Sequence, residues 1–458
     1  ASGCTIQTMN VTAGNSYDAI HIGKIDLLPV GYDQTTIQQC HLYDSLIGVN
    51  VGYGSDDTLV DDCNIRRNGQ GVYIYGSNGN TIIDTDVYKN GKGAVFETSD
   101  SNTVSYCWFV NNSLGSYGLH VKTSTGNQID HNKFINNELW LQSNVLDTVV
   151  TRNAFKVDSP PSTPVPANYD GVTVGLDCFN VELSHNYFRG KIIIPMGDHA
   201  GILLDSVTSC TLTNNTAKHM YKGVSLISAR GVTMRDNTLY DNNYNFHIDT
   251  YPAYSSPVDT TYYEHDIDTS NTVGETVGST LEETIIHYYV DQNDLVIDQL
   301  SAPDIGFLAV VNGQNIQAEN LVLERNSHGI LLVNVDGATV DGCYTWDNHM
   351  AGVSLVECQN VDVTGCSLKN NGDDESYGTD YSSTGLNILR GGDNTVTDCD
   401  ASNNERIGVE LVNTAGNTVS GCLVLNNGLD PLIDGHRGMG VSVRGSTGNT
   451  LHTNEVKG

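Results

Sequence analysis

The sequence is poor in basic residues, in proline and in long apolar runs. It carries 22 Lys and Arg against 54 Asp and Glu, a formal net charge of −32, and only 10 Pro in 458 residues. An acidic surface repels phosphate backbones and anionic lipid headgroups, so we expect no binding to nucleic acid or to membrane surfaces. No apolar run approaches the roughly 18 residues of a membrane-spanning helix, so membrane insertion is not expected.

Charged residues are also few, at 17% of the chain, against roughly 25% in ordinary soluble domains. The other polar residues are mostly Asn, Thr, Ser and Gly, which favour turns over helix interiors, so a mainly helical protein is excluded. The chain begins at Ala1 without an initiator Met or a signal peptide, and we interpret it as a processed, exported product. Sequons at Asn10, Asn111 and Asn214 are candidate glycosylation sites on such a protein.

What the sequence does have is an internal repeat. The segment Asn102-Thr-Val-Ser-Tyr-Cys107 aligns with Asn394-Thr-Val-Thr-Asp-Cys399 and with Asn417-Thr-Val-Ser-Gly-Cys422. Each copy continues through a short turn into an alternating apolar segment, and most copies lie 21 to 25 residues apart. One column of amide, thiol or other small side chains fixes the register. The column contains Met9, Cys40, Cys63, Thr85, Cys107, Asn132, Asn153, Asn186, Asn215, Asn237, Cys343, Cys366, Cys399, Cys422 and Asn454.

A unit of roughly 23 residues with two or three short strands predicts a right-handed parallel β-helix, in which each coil stacks about 4.8 Å from the last. Like residues then lie above like residues, and the column can form a hydrogen-bonded ladder along the axis. Gly and Asn at the corners would supply the left-handed backbone conformations that such turns need. About 15 coils would give a rod of roughly 70 Å.

A Tyr-rich interruption divides the repeat. We predict a β-helix block at 1–250, an insertion at 251–293 that folds as a packed hairpin or lobe, and a second β-helix block at 294–458, all in one solenoid.

Sequence around the insertion resembles a known family. The run His265-Asp-Ile-Asp-Thr-Ser-Asn-Thr-Val273, then Tyr288-Tyr-Val290 and Ile305-Gly-Phe-Leu-Ala-Val-Val-Asn312, resembles the NosD-like (CASH-type) β-helix repeat proteins. It is most similar to the exported, surface-associated members of methanogenic archaea. The resemblance implies a β-helix fold and export, and it implies no particular activity.

Catalytic motifs of polysaccharide-active β-helix enzymes are missing. A pectinase-like hydrolase would add Gly-His-Gly and Arg-Ile-Lys motifs to its aspartates, and an epimerase-like site would show Asp-Pro-His-Glu; neither set occurs. The nearest candidates place an acid, an imidazole and a turn Gly together, as an acid–base pair in a groove requires. These are Asp198 with His199, and Asp434 with His436 and Arg437. Exposed turn residues at coil corners are the alternative interpretation.

Metal-binding signals are equally sparse. The His and Met residues are scattered, so we expect no copper site, and calcium is the only candidate cofactor. Its candidate ligands are the aspartates of two loops, Asp56, Asp57, Asp373 and Asp374, which offer hard oxygen atoms.

Cysteines carry more information than histidines. None of the 11 forms a Cys-x-x-Cys pair, which disfavours zinc and redox sites. Cysteines of the ladder column would stack with Cβ atoms about 4.8 Å apart, beyond the ~3.8 Å that disulfides prefer. We therefore expect buried, reduced thiols, with Cys4 as the candidate for an intermolecular bond.

Neither end of the sequence shows a capping helix. Open first and last coils would expose strand edges that can pair with other chains. We therefore predict head-to-tail assembly into a homopolymer. The predicted contact residues are Cys4, Ile6, Met9, Val11, Leu451, Asn454 and Val456.

These observations favour a non-enzymatic, extracellular structural subunit of an archaeal surface filament, sheath or envelope layer, whose partner is a second copy of itself. The alternatives are an extracellular polysaccharide lyase or epimerase, and a surface adhesin that binds glycans.

Overall fold

A computed structural model describes residues 3–23, 34–113, 117–158, 170–191, 199–250, 258–372, 383–428 and 438–457. Within these residues the regular structure is β-strand apart from one 3₁₀ turn at Thr260–Tyr262. The chain divides into two compact units, Ala1–Thr233 and Met234–Gly458. No helix in the described part of the chain is long and apolar enough to cross a membrane.

The first unit consists of nine coils with three short strands each. Strands at equivalent positions of successive coils pair in parallel and in register, which gives the parallel β-helix that the repeat predicts. The strands are β1 Thr5–Gln7, β2 Asn10–Val11, β3 Ile20–Ile22, β4 Thr36–Gln38, β5 His41–Tyr43, β6 Ile47–Val51, β7 Leu59–Asp61, β8 Asn64–Arg66, β9 Gln70–Tyr75, β10 Thr81–Ile83, β11 Asp86–Tyr88, β12 Lys92–Glu97, β13 Thr103–Ser105, β14 Trp108–Val110, β15 Leu119–Lys122, β16 Gln128–Asp130, β17 Lys133–Ile135, β18 Leu139–Gln142, β19 Val149–Thr151, β20 Ala154–Lys156, β21 Val172–Gly175, β22 Glu182–Ser184, β23 Tyr187–Arg189, β24 Ala200–Asp205, β25 Thr211–Thr213, β26 Thr216–Lys218 and β27 Lys222–Ile227.

The interior of this unit is formed by like residues stacked on like residues. Four phenylalanines of the second strands, Phe109, Phe134, Phe155 and Phe188, lie on successive rungs with ring centroids 4.9, 4.6 and 4.9 Å apart. All four side chains are buried. Offset stacking of this kind adds to the roughly 25 cal/mol per Å² that apolar burial contributes.

The corner before each residue of the ladder column has left-handed backbone geometry. Gly and Asn were expected there, but Asp62, Tyr106, His131 and Arg152 adopt φ values of 50 to 56°. Each of these corners also donates its backbone N–H to a carbonyl of the next coil, as Arg152 does to Ser184 at 3.0 Å. The expectation of Gly and Asn was therefore too narrow, because these hydrogen bonds offset the cost of about 1–2 kcal/mol for a left-handed L-residue.

Apart from the exposed Met9 and the partly buried Asn454, the ladder column is buried, and its asparagines are hydrogen-bonded along the stack. Asn132 donates from Nδ2 to Asn153 Oδ1 at 3.0 Å, and Asn153 donates likewise to Asn186 at 3.1 Å. The same Oδ1 atoms accept the backbone N–H of the preceding rung, at 2.8 Å for Asn132. Asn186 continues the chain to Asn215 at 3.1 Å. Each amide therefore satisfies buried backbone and side-chain groups together.

Two further polar columns line other corners of the first unit. Asn68, Asn90, Asn112 and Asn137 form a second amide ladder with Nδ2–Oδ1 distances of 2.9 to 3.1 Å. A column of serine hydroxyls follows the third strands. The backbone N–H groups of Ser55, Ser77 and Ser99 each donate to the Oγ of the next serine in the column, and the last acceptor is Ser124.

Cysteines of the ladder column are buried and serve as small donors. Cys40, Cys63 and Cys107 each place Sγ 3.2 Å from the carbonyl oxygen two residues earlier. Burial raises the pKa of the Cys107 thiol to about 12. In the second unit Cys343, Cys366, Cys399 and Cys422 occupy consecutive rungs of the same kind of column, and Cys422 N–H donates to Asn454 Oδ1 at 2.9 Å. Cys4 is exposed.

The second unit has the same parallel coils and one antiparallel hairpin. Its strands, with β28 spanning the residue at which the units divide, are β28 Thr233–Arg235, β29 Thr238–Tyr240, β30 Tyr244–Asp249, β31 Asp266–Ile267, β32 Thr272–Val277, β33 Thr280–Val290, β34 Val296–Ile297, β35 Ile305–Val311, β36 Gln314–Glu319, β37 Val322–Glu324, β38 His328–Val333, β39 Asp336–Asp341, β40 Tyr344–Trp346, β41 Ala351–Val356, β42 Gln359–Thr364, β43 Ser367–Leu368, β44 Thr384–Leu389, β45 Thr395–Thr397, β46 Ile407–Val412, β47 Thr418–Ser420, β48 Leu423–Leu425, β49 Met439–Arg444, β50 Thr450–His452 and β51 Glu455–Lys457.

The hairpin lies in the segment where an insertion was predicted. Strands β32 and β33 pair antiparallel, and the end of β33 then pairs in parallel with β35. The two compact units do not coincide with the predicted blocks 1–250 and 294–458, and the three-block division stays a prediction.

We expect the replacement Asn153→Ala to destabilise the first unit. It removes the acceptor of Asn132 and the donor to Asn186 inside the stack, and each buried group left unpaired costs about 1–3 kcal/mol. Urea unfolding followed by circular dichroism would measure this loss. Gln128→Ala, on the exposed side of β16, is the control and should change the midpoint little. Equal midpoints for both variants would contradict a stabilising ladder.

Candidate functional site

Outward-facing side chains of the third strands gather polar and aromatic groups on the first unit. Along β9, β12, β15, β18 and β21 alternate residues point into the core, and the others form two outward columns. We name the surface formed by these columns and the adjoining turns the aromatic–acid face. It comprises Tyr73, Tyr75, Glu97, Tyr117, His120, Lys122, Glu138, Trp140, Gln142, Asp170 and Thr173.

Three rings form the centre of this face. His120 and Trp140 are register partners on adjacent strands, with centroids 4.7 Å apart and ring planes 12° apart. Tyr117 lies 4.4 Å from Trp140 and 4.8 Å from His120. Burial lowers the pKa of His120 to about 4, so the imidazole is neutral at pH 7, and its Nε2 lies 2.9 Å from Gln142 Oε1. The three rings therefore form one uncharged aromatic platform.

Two carboxyl groups adjoin the platform. Glu138 is the only residue between Asn137 and β18, so a very short turn brings it to the edge of the face. Burial, with a further contribution from Asp170, raises the pKa of Glu138 to about 8. The Asp170 N–H donates to Glu138 Oε2 at 3.3 Å. Asp170 itself accepts from the Ala200 N–H at 2.7 Å and from the Thr173 hydroxyl at 3.0 Å.

A third acid on the face, Glu97, is paired with a lysine. Glu97 accepts from Tyr73 Oη at 3.1 Å and from Lys122 Nζ at 3.2 Å. Burial alone would raise the pKa of Glu97, but the hydrogen bond and charge of Lys122 outweigh it and lower the pKa. Burial and Glu97 together raise the pKa of Tyr73 to about 12. Tyr73 stacks on Tyr75, with centroids 6.2 Å apart, and extends the aromatic surface.

The chemistry of this arrangement suits sugars. Flat aromatic rings next to fixed hydrogen-bonding groups can stack on the apolar face of a sugar ring while the polar groups bind its hydroxyls. The carboxyl pair could also exchange a proton with a bound molecule near neutral pH, because Glu138 titrates there.

Most of the catalytic candidates predicted from the sequence fall outside the described residues. Of them only His199 is described, directly before β24, where its carbonyl accepts from the Lys222 N–H at 2.7 Å. Asp198, Asp434, His436 and Arg437 lie outside the described residues.

The calcium candidates divide in the same way. Asp56 Oδ1 accepts the Asn78 N–H at 2.7 Å, and Asp57 forms a corner with φ of 56°. Asp373 and Asp374 lie outside the described residues. Among the residues that the structure describes, no three His, Cys, Asp or Glu side chains are grouped to hold a metal ion. Calcium binding stays a prediction.

The remaining predicted residues lie at the surface. The sequon asparagines Asn10, Asn111 and Asn214 are exposed, and their glycosylation stays a prediction. Of the predicted contact residues, Cys4, Met9, Leu451 and Val456 are exposed, whereas Ile6, Val11 and Asn454 are partly buried.

No residue of the aromatic–acid face was predicted from the sequence as a functional residue. The face combines residues from Tyr73 to Thr173 that become neighbours only through the register of the third strands. No sequence signal places them side by side: His120 follows the ladder residue Cys107 by 13 positions, whereas Trp140 follows Asn132 by only 8.

Comparison with known proteins identifies the family. The model of the right-handed β-helix region matches residues 1–158 and 306–458, more than half of the chain. The model of the periplasmic copper-binding protein NosD matches residues 162–256. The predicted right-handed parallel β-helix and the NosD-like resemblance are thus confirmed, while the archaeal surface type stays a prediction. The curated proteins contain no match to this sequence.

Solved structures of similar fold are distant. The mannuronan C-5 epimerase AlgE4 A-module of Azotobacter vinelandii is 12% identical over 93% of this chain and 91% of that one, with a TM-score of 0.24. The surface adhesin PfbA of Streptococcus pneumoniae is 8% identical over 86% and 83%, with a TM-score of 0.26. The tailspike of E. coli bacteriophage HK620, in complex with a pentasaccharide, is 11% identical over 98% and 74%, with a TM-score of 0.31. Similarity at this level carries no argument about function.

The raised pKa of Glu138 makes stability depend on pH. The folded-state pKa of about 8 lies above the ordinary value of 4.5, so the carboxyl favours the folded state below about pH 4.5, and this contribution is lost as the pH rises through 8. We expect Glu138→Gln to reduce the fall in urea midpoint between pH 5 and pH 9. Glu182→Gln, an exposed residue on β22, is the control. Parallel pH profiles for wild type and Glu138→Gln would show that Glu138 titrates normally.

Proposed function

The chain belongs to the right-handed β-helix family, and we propose that it is an exported protein that binds neutral polysaccharide through the aromatic–acid face. The observation that carries this proposal is the platform of Tyr117, His120 and Trp140, with ring centroids 4.4 to 4.8 Å apart. The partly exposed rings of Tyr117 and Trp140 offer an uncharged aromatic surface on which the apolar C–H groups of a sugar can pack, whereas the surrounding groups select among sugars.

Electrostatics favours a neutral glycan over a uronan. Glu97, Glu138 and Asp170 place three carboxyl groups on the face against one lysine, Lys122, although the raised pKa of Glu138, about 8, keeps that carboxyl mostly protonated at pH 7. The whole chain has a formal net charge of −32. A polymer of uronic acids would be repelled by both, whereas neutral sugar hydroxyls can donate hydrogen bonds to carboxylates.

Binding is favoured over cleavage because two of the three acids of the face, Asp170 and Glu97, are already engaged, which leaves Glu138 without a second free carboxyl group to act with it. Asp170 accepts hydrogen bonds on both oxygens, from Ala200 and Thr173. Glu97 is likewise held by Tyr73 and Lys122. A general base must be able to take a proton from a bound molecule, and these contacts oppose it. Export, and a place outside the cell or at its surface, are part of this proposal, and the match of residues 162–256 to the model of a periplasmic protein supports export.

Replacement Trp140→Ala should weaken glycan binding at least tenfold, about 1.4 kcal/mol. Affinity electrophoresis in gels that contain single neutral polysaccharides or uronans would measure this. Trp108→Ala is the control, because Trp108 lies on β14, in another sheet, under Lys133, and is more exposed than the partly buried Trp140. Equal retardation of Trp140→Ala and wild type, or binding to uronans alone, would refute the proposal.

Head-to-tail assembly into a filament, sheath or surface layer is the second proposed function. Its support is the exposure of three large apolar side chains, Met9 at 48%, Leu451 at 41% and Val456 at 49%. Exposed apolar strands at a sheet edge can pair with another copy of the chain.

If these side chains join copies of the chain, the replacement Val456→Lys should reduce assembly. Multi-angle light scattering over a hundredfold range of concentration would then give a rising mass for the wild type and a constant monomer mass for the variant. Val277→Lys, at an equally exposed valine of the hairpin at the end of β32, is the control. A constant monomer mass for the wild type would refute assembly.

A further inference from the structure

An open cavity lies beside the hairpin of the second unit. Its volume is 170 Å³, and it is enclosed by β32, β33, β35 and β37. Val273, Ile305 and Val322 provide apolar walls, and four charged side chains, Glu275, Glu282, Glu324 and Arg325, line the rest. Since a water molecule takes about 30 Å³ of liquid, the volume holds about five or six waters or one small organic molecule.

The charges of this cavity do not cancel. Arg325 forms an ion pair with Glu275, which leaves Glu282 and Glu324 as two further carboxyl groups. Neither of these side chains makes a hydrogen bond or an ion pair with any residue that the structure describes. Burial raises the pKa of Glu324, and the charges of Glu275 and Asp347 raise it further against the opposing effect of Arg325.

The hairpin places two of these negatively charged side chains directly opposite each other. Glu275 and Glu282 are direct cross-strand partners of β32 and β33. Like charges at this position destabilise a hairpin, and the single Arg325 compensates only one of them. A bound cation would relieve the repulsion. No group of carboxylates in the described part of the chain is arranged to hold a metal ion, and the apolar walls suit an alkyl chain.

We propose that this cavity binds a small alkylammonium group, with the ammonium between Glu282 and Glu324 and the alkyl chain against Val273, Ile305 and Val322. The group could belong to a free amine or to a lysine side chain of another protein. Both sources present the same chemistry, a primary ammonium on about four methylene groups.

Isothermal titration of the full chain with n-butylammonium chloride tests this proposal. We expect saturable binding that is at least fivefold weaker for 1-butanol, for Glu324→Gln and for Glu282→Gln. Glu282→Gln removes a like-charge pair from an exposed strand, so it keeps the test valid if Glu324→Gln does not fold. Glu319→Gln, on β36 outside the cavity lining, is the matched control and should bind like the wild type.

A second ligand distinguishes the two sources. Nα-acetyl-lysine amide should bind as well as n-butylammonium if the cavity accepts a lysine side chain, and at least fivefold more weakly if it accepts only free amines; either pattern supports the proposal. Equal binding of butanol and butylammonium would overturn it, as would unchanged affinity in both Gln variants.

Discussion

Parallel pairing of each coil with the next in one fixed register is the constraint on which the rest of the structure depends. A slip of one residue would turn every inward side chain outward. The amide ladders prevent this because each Oδ1, such as that of Asn153, accepts both the N–H and the Nδ2 of the rung before it. Any slip would leave both donors buried without partners, at about 1–3 kcal/mol for each. The stacked phenylalanines and the outward columns are aligned because the strands that carry them pair in this register.

Much of the fold could be predicted because the ladder column keeps its register when loops lengthen. Asn153 and Asn186 are 33 residues apart and still form one rung-to-rung contact. The second amide ladder, at Asn68 to Asn137, was not recognised although its spacing is as regular. One residue separates Asn68, Asn90 and Asn137 from the next strand, but six separate Asn112 from β15, so the sequence after the asparagines does not align throughout. Corner residues such as Tyr106 and Arg152 escaped prediction because their left-handed geometry is stabilised by the neighbouring coil and is not a property of the residue.

The aromatic–acid face could not be predicted for a related reason. Its properties depend on pairs of residues that are far apart in the sequence and on the lengths of the turns between them. Glu138 reaches the face because one residue links Asn137 to β18, and its raised pKa depends on burial and on Asp170, 32 residues later. A motif compares residues that are close in the sequence, and such a comparison selected the pairs Asp198 with His199 and Asp434 with His436. The pKa of an acid changes with its burial and with its distance from charged groups on neighbouring coils. Both quantities are known only once the coils are stacked in the structure.

The excess of acidic residues likewise has no single role, although composition alone suggests a uniformly repulsive surface. On the first unit, the carboxyl groups of Glu97 and Asp170 accept hydrogen bonds within the protein. Lys122 donates to Glu97, and Ala200 and Thr173 donate to Asp170. At the hairpin of the second unit, the one guanidinium of Arg325 faces several carboxylates and compensates only part of their charge. Because electrostatic energy depends on the local number of opposite charges within a few ångströms, the first arrangement is stable without a ligand and the second favours a cation. The two surfaces therefore suit the two different ligands that we propose for them, since the inward residues fix the register and leave the outward ones free to vary.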